Sequence, residues 1–200
     1  MLILASQSAA RKALLAGAGM RFAARPAQID ERLLEAEALG KGVDAAGVAE
    51  ALAVAKARAV SLSNPGAWVI GADQTLACED VLYHKPANRA EAAEQLARLS
   101  GRSHTLNAAI ALVCDGELHW SHVERAEMIM RATDAAEREA VLDLEGEAAL
   151  GSVGGYRLEG PSIRLFEAVE GDYFTILGLP LLPLLAALRR LAPELLDTTP

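Results

Sequence analysis

Residues 1–19 read MLILASQSAARKALLAGAG, and this stretch decides the class of fold. The apolar run 2–5 predicts a short buried strand, and the hydroxyl-containing segment 6–8 predicts the turn that follows it. A helix is expected over about residues 9–18, with Gly17 and Gly19 as its stop signals. A strand that leads directly into a helix is typical of an α/β protein.

Apolar periodicity and turn residues predict the remaining elements. Strands are expected at 22–24, 68–70, 105–114, 118–130 and 163–169, and helices at 44–62, 89–99, 134–144 and 179–191. Asp115-Gly116 is a strong signal for a two-residue hairpin turn between two of these strands. Strands and helices alternate along the chain up to this hairpin, where two strands follow each other directly. We therefore expect a mixed twisted sheet flanked by helices, within a single domain over residues 1–200.

Composition excludes several classes of protein. Apolar residues make up 52% of the 200 residues and charged residues 23%, which supports a packed core and argues against disorder. The net charge of −8 disfavours binding to nucleic acid or to an anionic membrane. Two lone cysteines, no basic leader and no uninterrupted apolar span predict a cytoplasmic protein.

The turn at residues 6–8 is the first candidate for chemistry. Ser6 and Ser8 precede the start of a helix, whose first N–H groups have no acceptor within the helix and suit a phosphate. Arg11 would lie within about one helical turn of such an anion. The alternative is a simple serine cap with no ligand.

Charged residues in other segments offer further candidates. Asp73 follows the apolar run 68–70, and α/β sheets often place metals and catalytic groups at the C-terminal end of such a strand. Glu31 lies in a polar segment, expected to be a loop, whose carboxylates could hold a divalent cation. Lys56 interrupts an apolar helical pattern, and Lys85 follows Asp73 across an expected loop. The alternatives are a turn-forming Asp, a solvated Glu and a lysine that reaches solvent from the edge of the core.

In this order the candidate segments resemble the motif series of the Maf (septum formation inhibitor-like) nucleotide pyrophosphatases. The resemblance runs from Leu4 to the helix that begins near Leu179, with the spacing kept throughout. Several matches in sequence order are far more specific than any one of them. The matching segments are Leu4-Ala5-Ser6-Gln7-Ser8-x-x-Arg11-x-x-Leu14-Leu15, Asp30-Glu31, Ala55-Lys56-Ala57, Gly71-Ala72-Asp73-Gln74, Lys85-Pro86 and Gly178-Leu179-Pro180-Leu181.

The resemblance implies a fold, a reaction and a set of site residues. The fold would be an elongated α/β unit of two lobes with a central cleft, similar to inosine triphosphate pyrophosphatases. The reaction would split a nucleoside triphosphate between its α and β phosphates with Mg²⁺ or Mn²⁺, which gives a monophosphate and pyrophosphate. The pattern implies Asp73 as the base and as a metal ligand, and Glu31 as a second metal-side carboxylate. It also implies a clamp on the triphosphate, formed by Arg11, Lys56 and Lys85 with contacts from Ser6 and Ser8.

The base preference depends on three further positions. Gln74 and Glu159 match the subgroup that acts on 7-methylguanosine triphosphate, and a carboxylate can accept from both N–H groups on the guanine edge. Ala10 departs from both subgroups, since one has Arg there and the other has Trp, which could stack on a methylated purine. We therefore expect weaker or broader base selection, with Tyr156 as an aromatic that could compensate. A preference for thymidine and uridine triphosphates is the alternative.

Two other functions stay open from the sequence. A non-catalytic, nucleotide-binding regulator of septum formation would need the cations but hardly a base at Asp73. A phosphatase that releases orthophosphate would differ in its products. A homodimer is expected by analogy with the family, although a Leu-rich helix such as 179–191 is more often core than interface.

Overall fold

The computed structural model describes residues 1–79 and 81–196 and confirms a mixed α/β fold. Among these residues, no helix combines the length and the apolar character needed to cross a membrane. The strands are β1 (Leu2–Leu4), β2 (Ala23–Ala24), β3 (Trp68–Cys78), β4 (Val81–Tyr83), β5 (Ser103–Cys114), β6 (Glu117–Met130) and β7 (Phe166–Glu170). The α-helices are α1 (Ala9–Gly17), α2 (Glu31–Gly40), α3 (Ala45–Ser61), α4 (Arg89–Leu99), α5 (Ala135–Glu145), α6 (Tyr173–Ile176) and α7 (Leu181–Leu191). Short 3₁₀ helices cover Gly146–Gly151, Val153–Gly155, Pro161–Leu165 and Pro193–Leu195.

The described strands form one sheet in the order β2-β1-β3-β5-β6-β7, with β4 paired to β3. β1 is parallel to both β2 and β3, whereas β4 on β3 and β7 on β6 are antiparallel. Between β5 and β6, Asp115 and Gly116 have φ values of 49° and 79°, the left-handed backbone that a two-residue hairpin turn requires. The predictions of a mixed sheet and of this hairpin are confirmed.

Side chains cap the starts of several helices. Ser8, Asn88 and Asp134 each accept a hydrogen bond from the backbone N–H three residues further on. Asp30 does the same for α2, a helix that the sequence pattern did not predict. The expectation that Glu31 lies in a loop is therefore wrong, because the Asp30 cap lets a helix begin at Glu31.

β3 is longer than predicted, and Asp73 lies within it rather than at its end. In the sequence, Gly71 suggests that the strand ends there. In the structure, the absence of a side chain at Gly71 makes room for α3. A Cβ added there would overlap the carbonyl oxygen of Ala53. The parallel pairing with β1 ends at Ile70, so Asp73 lies just beyond the parallel part of the strand.

The strand predicted at 163–169 is wrong in its first half. Pro161–Leu165 form a 3₁₀ helix, and β7 begins only at Phe166. Pro161 favours this turn because its ring fixes φ near the helical value at the first position.

The chain forms two compact units. The first contains residues 1–74, 108–124 and the C-terminal part from Tyr173, and the second contains residues 75–107 and 125–172. β3, β5 and β6 contribute residues to both units. The assignment of residues 1–200 to a single domain stays a prediction.

In the first unit the two faces of the sheet are packed differently, because alternate residues of a strand point to opposite sides. The face covered by α7 is rich in large side chains, among them Leu2, Leu4, Ile70, Ile110, Leu112, Leu184 and Leu188. The face covered by α3 is rich in small ones, among them Ala5, Ala49, Ala53, Ala57, Ala109 and Ala111. We call the second face the alanine face. Its small side chains let the backbone of α3 approach β3 closely at Gly71, and this sets the position of Lys56.

Candidate active site

Three charged side chains meet beside the alanine face. Nζ of Lys56 on α3 lies 2.5 Å from Oδ1 of Asp73 on β3 and 2.8 Å from Oε2 of Glu31 on α2. The side chains of Lys56 and Asp73 are 12% and 11% exposed, whereas that of Glu31 is 52% exposed. The structure thus brings together three residues from distant stretches of sequence that the motif series assigns to one site.

Asp73 is a buried carboxylate with few partners. Lys56 donates to Oδ1, and among the described residues no donor reaches Oδ2. Burial raises the pKa of Asp73 above its ordinary value, and the nearby positive charges of Lys56 and Arg11 offset this only in part. A carboxylate with a raised pKa and an open oxygen is a stronger proton acceptor than a solvated one.

Arg11 on α1 is held in place by uncharged oxygens. Its Nε donates to the carbonyl of Gly178 at 2.8 Å, and its Nη1 donates to the carbonyl of Ala72 at 2.9 Å and to Oγ of Ser6 at 3.3 Å. Burial lowers the pKa of Arg11, whereas nearby carboxylates raise it. Because a guanidinium stays protonated in proteins, Arg11 presents a fixed positive charge next to Asp73.

The turn before α1 is organised by its two serines. Oγ of Ser8 accepts from the N–H of Arg11 at 3.4 Å, and Oγ of Ser6 accepts from the N–H of Ser8 at 3.2 Å. Ala10, the second residue of α1, is half-buried and adds only a methyl group. Helix geometry leaves the first N–H groups of α1 without an acceptor in the helix, which is a suitable environment for an anion beside Arg11.

Gln74 is anchored to the backbone of the segment after β7. Its Nε2 donates to the carbonyls of Thr175 at 3.1 Å and Ile176 at 3.0 Å. Both amide hydrogens are thereby used, so only Oε1 is left to accept from a ligand. Gly178, at φ 85°, turns the chain directly afterwards, and its carbonyl is the one that holds Arg11. Gln74 and Arg11 therefore flank the same turn.

The carboxylates suit a hard divalent cation. Oδ2 of Asp73 and Oε1 of Glu31 are the oxygens not bonded to Lys56. In the described part of the chain, no cluster of three or more His, Cys, Asp or Glu side chains could hold a metal by itself. Mg²⁺ is usually held by one or two carboxylates together with waters and substrate phosphates, so this pair fits it, whereas a structural zinc site needs four ligands.

Two predicted site residues lie in the second unit. Lys85 is exposed, in the segment between β4 and α4. Glu159 lies in the irregular segment before the 3₁₀ helix Pro161–Leu165, with its side chain 33% exposed and Oε1 4.0 Å from Nη1 of Arg157. Their participation in the site stays a prediction that rests on the family resemblance.

Tyr156 does not offer a ring face to a nucleobase. The residue is 2% exposed, its hydroxyl lies 2.8 Å from Nε2 of His104, and its ring centroid lies 4.9 Å from that of Phe166. The expectation that Tyr156 compensates for Ala10 is therefore wrong, because its ring is part of the core of the second unit.

Two glycines within the motifs have roles that the motif pattern does not assign. Gly71 permits the close approach of α3, and Gly178 turns the chain so that its carbonyl meets Arg11. A glycine inside a strand pattern is a recognised signal of close backbone approach, and a glycine after a short helix signals a left-handed turn. Sequence reasoning could have found both from these signals.

Comparison with known proteins extends the similarity over nearly the whole chain. A family profile described as Maf-like protein matches residues 1–191. The 7-methyl-GTP pyrophosphatase of Brucella abortus is 51% identical over 189 residues, which cover 94% of this chain and 95% of that protein. The 7-methyl-GTP pyrophosphatase of Rhizobium meliloti is 53% identical over 191 residues, 96% of each chain. A nucleoside triphosphate pyrophosphatase of Nitrobacter winogradskyi is 53% identical over 189 residues, 94% of this chain and 92% of that protein.

Proposed function

This chain belongs to the Maf family, and from that membership we propose that it hydrolyses nucleoside triphosphates between the α and β phosphates. The products would be a nucleoside monophosphate and pyrophosphate. The observation that carries the proposal is the 2.5 Å contact of Lys56 with Asp73, next to an arginine whose hydrogen-bond partners are all uncharged.

Asp73 is the proposed base. One lone pair of its Oδ2 takes a proton from the attacking water while Oδ1 stays bonded to Lys56, and the second lone pair of Oδ2 remains for the metal ion. The water oxygen bonds to the α phosphorus, the bond from that phosphorus to the α–β bridging oxygen breaks, and pyrophosphate leaves with the bonding electrons. General base catalysis of this kind contributes about 10²- to 10⁴-fold to a rate.

The cations of the site are proposed to bind the phosphate oxygens. Arg11 is fixed by three hydrogen bonds before any ligand arrives, so it costs little ordering when the triphosphate binds. Lys56 adds positive charge and holds Asp73 in position. Ser6, Ser8 and the first N–H groups of α1 would contact the same anion, and Lys85 is proposed as a further member of the clamp.

Asp73 and Glu31 are the proposed protein ligands of Mg²⁺ or Mn²⁺. Such a cation, when bound, neutralises phosphate oxygens and stabilises charge that develops on them. The charge balance of the cluster supports this role. Lys56 and Arg11 are offset by the two carboxylates, so the cluster is formally neutral before a strongly negative triphosphate arrives.

For the nucleobase we propose 7-methylguanine, with other bases accepted less well. The names of the relatives from Brucella and Rhizobium support this choice, as do Gln74 and Glu159 in this chain. Ala10 has no ring and the ring of Tyr156 is buried, so a stacking energy of about 0.5–2 kcal/mol is missing at these positions. Selection is therefore expected to be broader than in a protein with Trp at the position of Ala10.

Isotope labelling tests the proposed reaction directly. The protein is incubated with 7-methyl-GTP and Mg²⁺ or Mn²⁺ in H₂¹⁸O, and the products are analysed by mass spectrometry. Attack at the α phosphorus places ¹⁸O in the monophosphate and leaves pyrophosphate unlabelled. Label in pyrophosphate, or release of orthophosphate with a diphosphate, would contradict the proposal. Removal of the metal ion by a chelator is expected to abolish turnover.

A nucleotide-binding regulator of septum formation remains the second candidate. It is disfavoured because binding alone does not need a buried carboxylate with an open oxygen and a raised pKa. A homodimer stays a prediction, and light scattering of the purified protein would test it.

A further inference from the structure

Glu145 in the second unit is a buried carboxylate that the proposed reaction does not use. It is the last residue of α5, and its side chain is 0% exposed. A negative charge at the C-terminal end of a helix faces the negative end of the helix dipole, and its removal from water is costly. Other groups must therefore stabilise this carboxylate.

The stabilising groups come from one short segment, residues 157–162. Oε1 of Glu145 accepts from the backbone N–H of Ser162 at 2.9 Å and from its Oγ at 2.8 Å. Oε2 accepts from Nε of Arg157 at 2.9 Å, and Nη2 of the same guanidinium lies 2.9 Å from this oxygen as an ion-pair contact. Burial alone would raise the pKa of Glu145, but the hydrogen bonds from Ser162 and Arg157 lower it below its ordinary value.

The segment is shaped around this carboxylate. A Cβ added at Gly160 would overlap Oε1 of Glu145, so the carboxylate occupies the space of a side chain there. The N–H of Gly160 donates to the carbonyl of Arg157 at 3.2 Å, which closes a tight turn. The start of the turn is thus bonded to Glu145, and its end lies against the same carboxylate.

Glu159 lies inside this turn. The bond from Arg157 to Glu145 on one side, and the bonds from Ser162 to Glu145 on the other, restrict its backbone. Its own carboxylate makes no short ion pair with Arg157, whose Nη1 is 4.0 Å away, because Nε and Nη2 of that arginine point to Glu145. The carboxylate of Glu159 is therefore only loosely paired with Arg157, and its side chain is 33% exposed.

We propose that Glu145 is a positioning residue that holds Glu159 for selection of the nucleobase. This inference rests on the proposed function, since Glu159 must face a base for its position to matter. Glu145 touches no substrate and acts through Arg157 and Ser162. Loss of its charge would release Arg157, which would then be able to pair with Glu159 and occupy the acceptor.

The test compares two triphosphates in one set of variants. The value of kcat/KM is measured for 7-methyl-GTP and for UTP with the wild type, Glu145→Gln, Glu159→Gln and the double variant. We expect Glu145→Gln to lower the ratio of kcat/KM for 7-methyl-GTP to kcat/KM for UTP by about tenfold, through a higher KM for 7-methyl-GTP. The kcat for UTP should stay within about twofold of the wild type. The double variant should be no less selective than Glu159→Gln alone, because both changes remove the same acceptor.

Matched variants separate positioning from general damage. Arg89→Met removes a surface ion pair with Glu139 and Asp143 in the same unit and should leave the ratio unchanged. If Glu145→Gln does not fold, Arg157→Met takes its place, since it breaks the anchor and leaves the bonds from Ser162. Equal losses for both triphosphates, an unchanged ratio, or a wild type that does not distinguish the two would overturn the inference. A separate measurement tests the proposed function itself: if the wild type releases no pyrophosphate, the proposed function is wrong.

Discussion

Asp73 and Glu145 are both buried carboxylates, yet their surroundings are opposite. Asp73 accepts one hydrogen bond, from Lys56, and its pKa is raised. Glu145 accepts three, from Ser162 and Arg157, has a further ion-pair contact with Arg157, and its pKa is lowered. Burial alone therefore does not mark a reactive acid. The acceptor capacity left unfilled separates a carboxylate that can take a proton from one that holds a segment of chain in place.

The largest expected effect comes from Asp73→Asn. Turnover should fall about 10³-fold because the amide cannot accept the proton of water, while nucleotide affinity should persist. Pyrophosphate release and calorimetric titration with a non-hydrolysable triphosphate measure the two quantities. Glu50→Gln, which alters a residue of α3 bonded to Ser121, is the control and should leave turnover unchanged. Wild-type turnover in Asp73→Asn would remove the distinction drawn between the two carboxylates and would favour the regulator.

Gly71→Ala tests how Asp73 reaches its place. The added methyl group meets the Ala53 carbonyl and lies 2.8 Å from Cβ of Ala57, so α3 must move away from β3. We expect a loss of about 3 kcal/mol in the free energy of unfolding and a fall in kcat, as Lys56 leaves Asp73. Urea denaturation and pyrophosphate release measure these. Gly40→Ala in α2 meets no atom within 4 Å and should be neutral or stabilising by up to about 1 kcal/mol. Similar results for both variants would refute the close-approach argument.

Glu145→Gln should affect stability more than turnover, the reverse of Asp73→Asn. It replaces the acceptor of Arg157 with an amide and leaves the guanidinium without its buried partner. We expect a loss of about 2 kcal/mol in unfolding free energy, with kcat within about threefold of the wild type. Denaturation by guanidinium chloride, followed by circular dichroism, measures the loss in unfolding free energy. An unfolding free energy equal to that of the wild type would mean that these bonds contribute nothing net.

The smallest effect is the pH dependence of stability, which should have opposite signs for the two residues. The folded pKa of Glu145 is lowered, so its contribution is present above its ordinary pKa of 4.5 and is lost as the pH falls through the folded value. The folded pKa of Asp73 is raised, so its contribution is present below 3.8 and is lost as the pH rises through the folded value. Each unit of pKa difference corresponds to about 1.4 kcal/mol.

Denaturation of both variants in a metal-free buffer across the acidic range checks these signs. Relative to the wild type, Glu145→Gln should become less destabilised as the pH falls, and Asp73→Asn should become more stable as the pH rises. Slopes of equal sign would show that the two carboxylates do not differ as described.

Local signals predicted much of the fold. The strand and helix at residues 1–19, the helices α3 and α4, and the hairpin at Asp115 each depend on neighbours a few residues apart, so a short window of sequence contains the necessary information. The extent of β3 could not be predicted in this way. Gly71 resembles a break locally, and only the close approach of Ala53, eighteen positions earlier, shows why a strand needs it.

The candidate site also contains features that the sequence predicts and features that it does not. The motif resemblance assigned Asp73, Lys56 and Glu31 to one site, and their side chains do meet. Neither the role of Glu145 nor the burial of Tyr156 has a local signal. Glu145 resembles a solvated acid at the end of a helix until Arg157 and Ser162 fold over it, and the partner of Tyr156 is 52 residues away.

The division of the chain into two units has a practical consequence for spectroscopy. Both tryptophans of the chain, Trp68 and Trp120, belong to the first unit, which contains Asp73 and Arg11. Their intrinsic fluorescence therefore reports on the packing of the first unit, whereas the second unit is optically silent at wavelengths that excite only indole. Changes in the packing of the first unit can thus be followed without any introduced label.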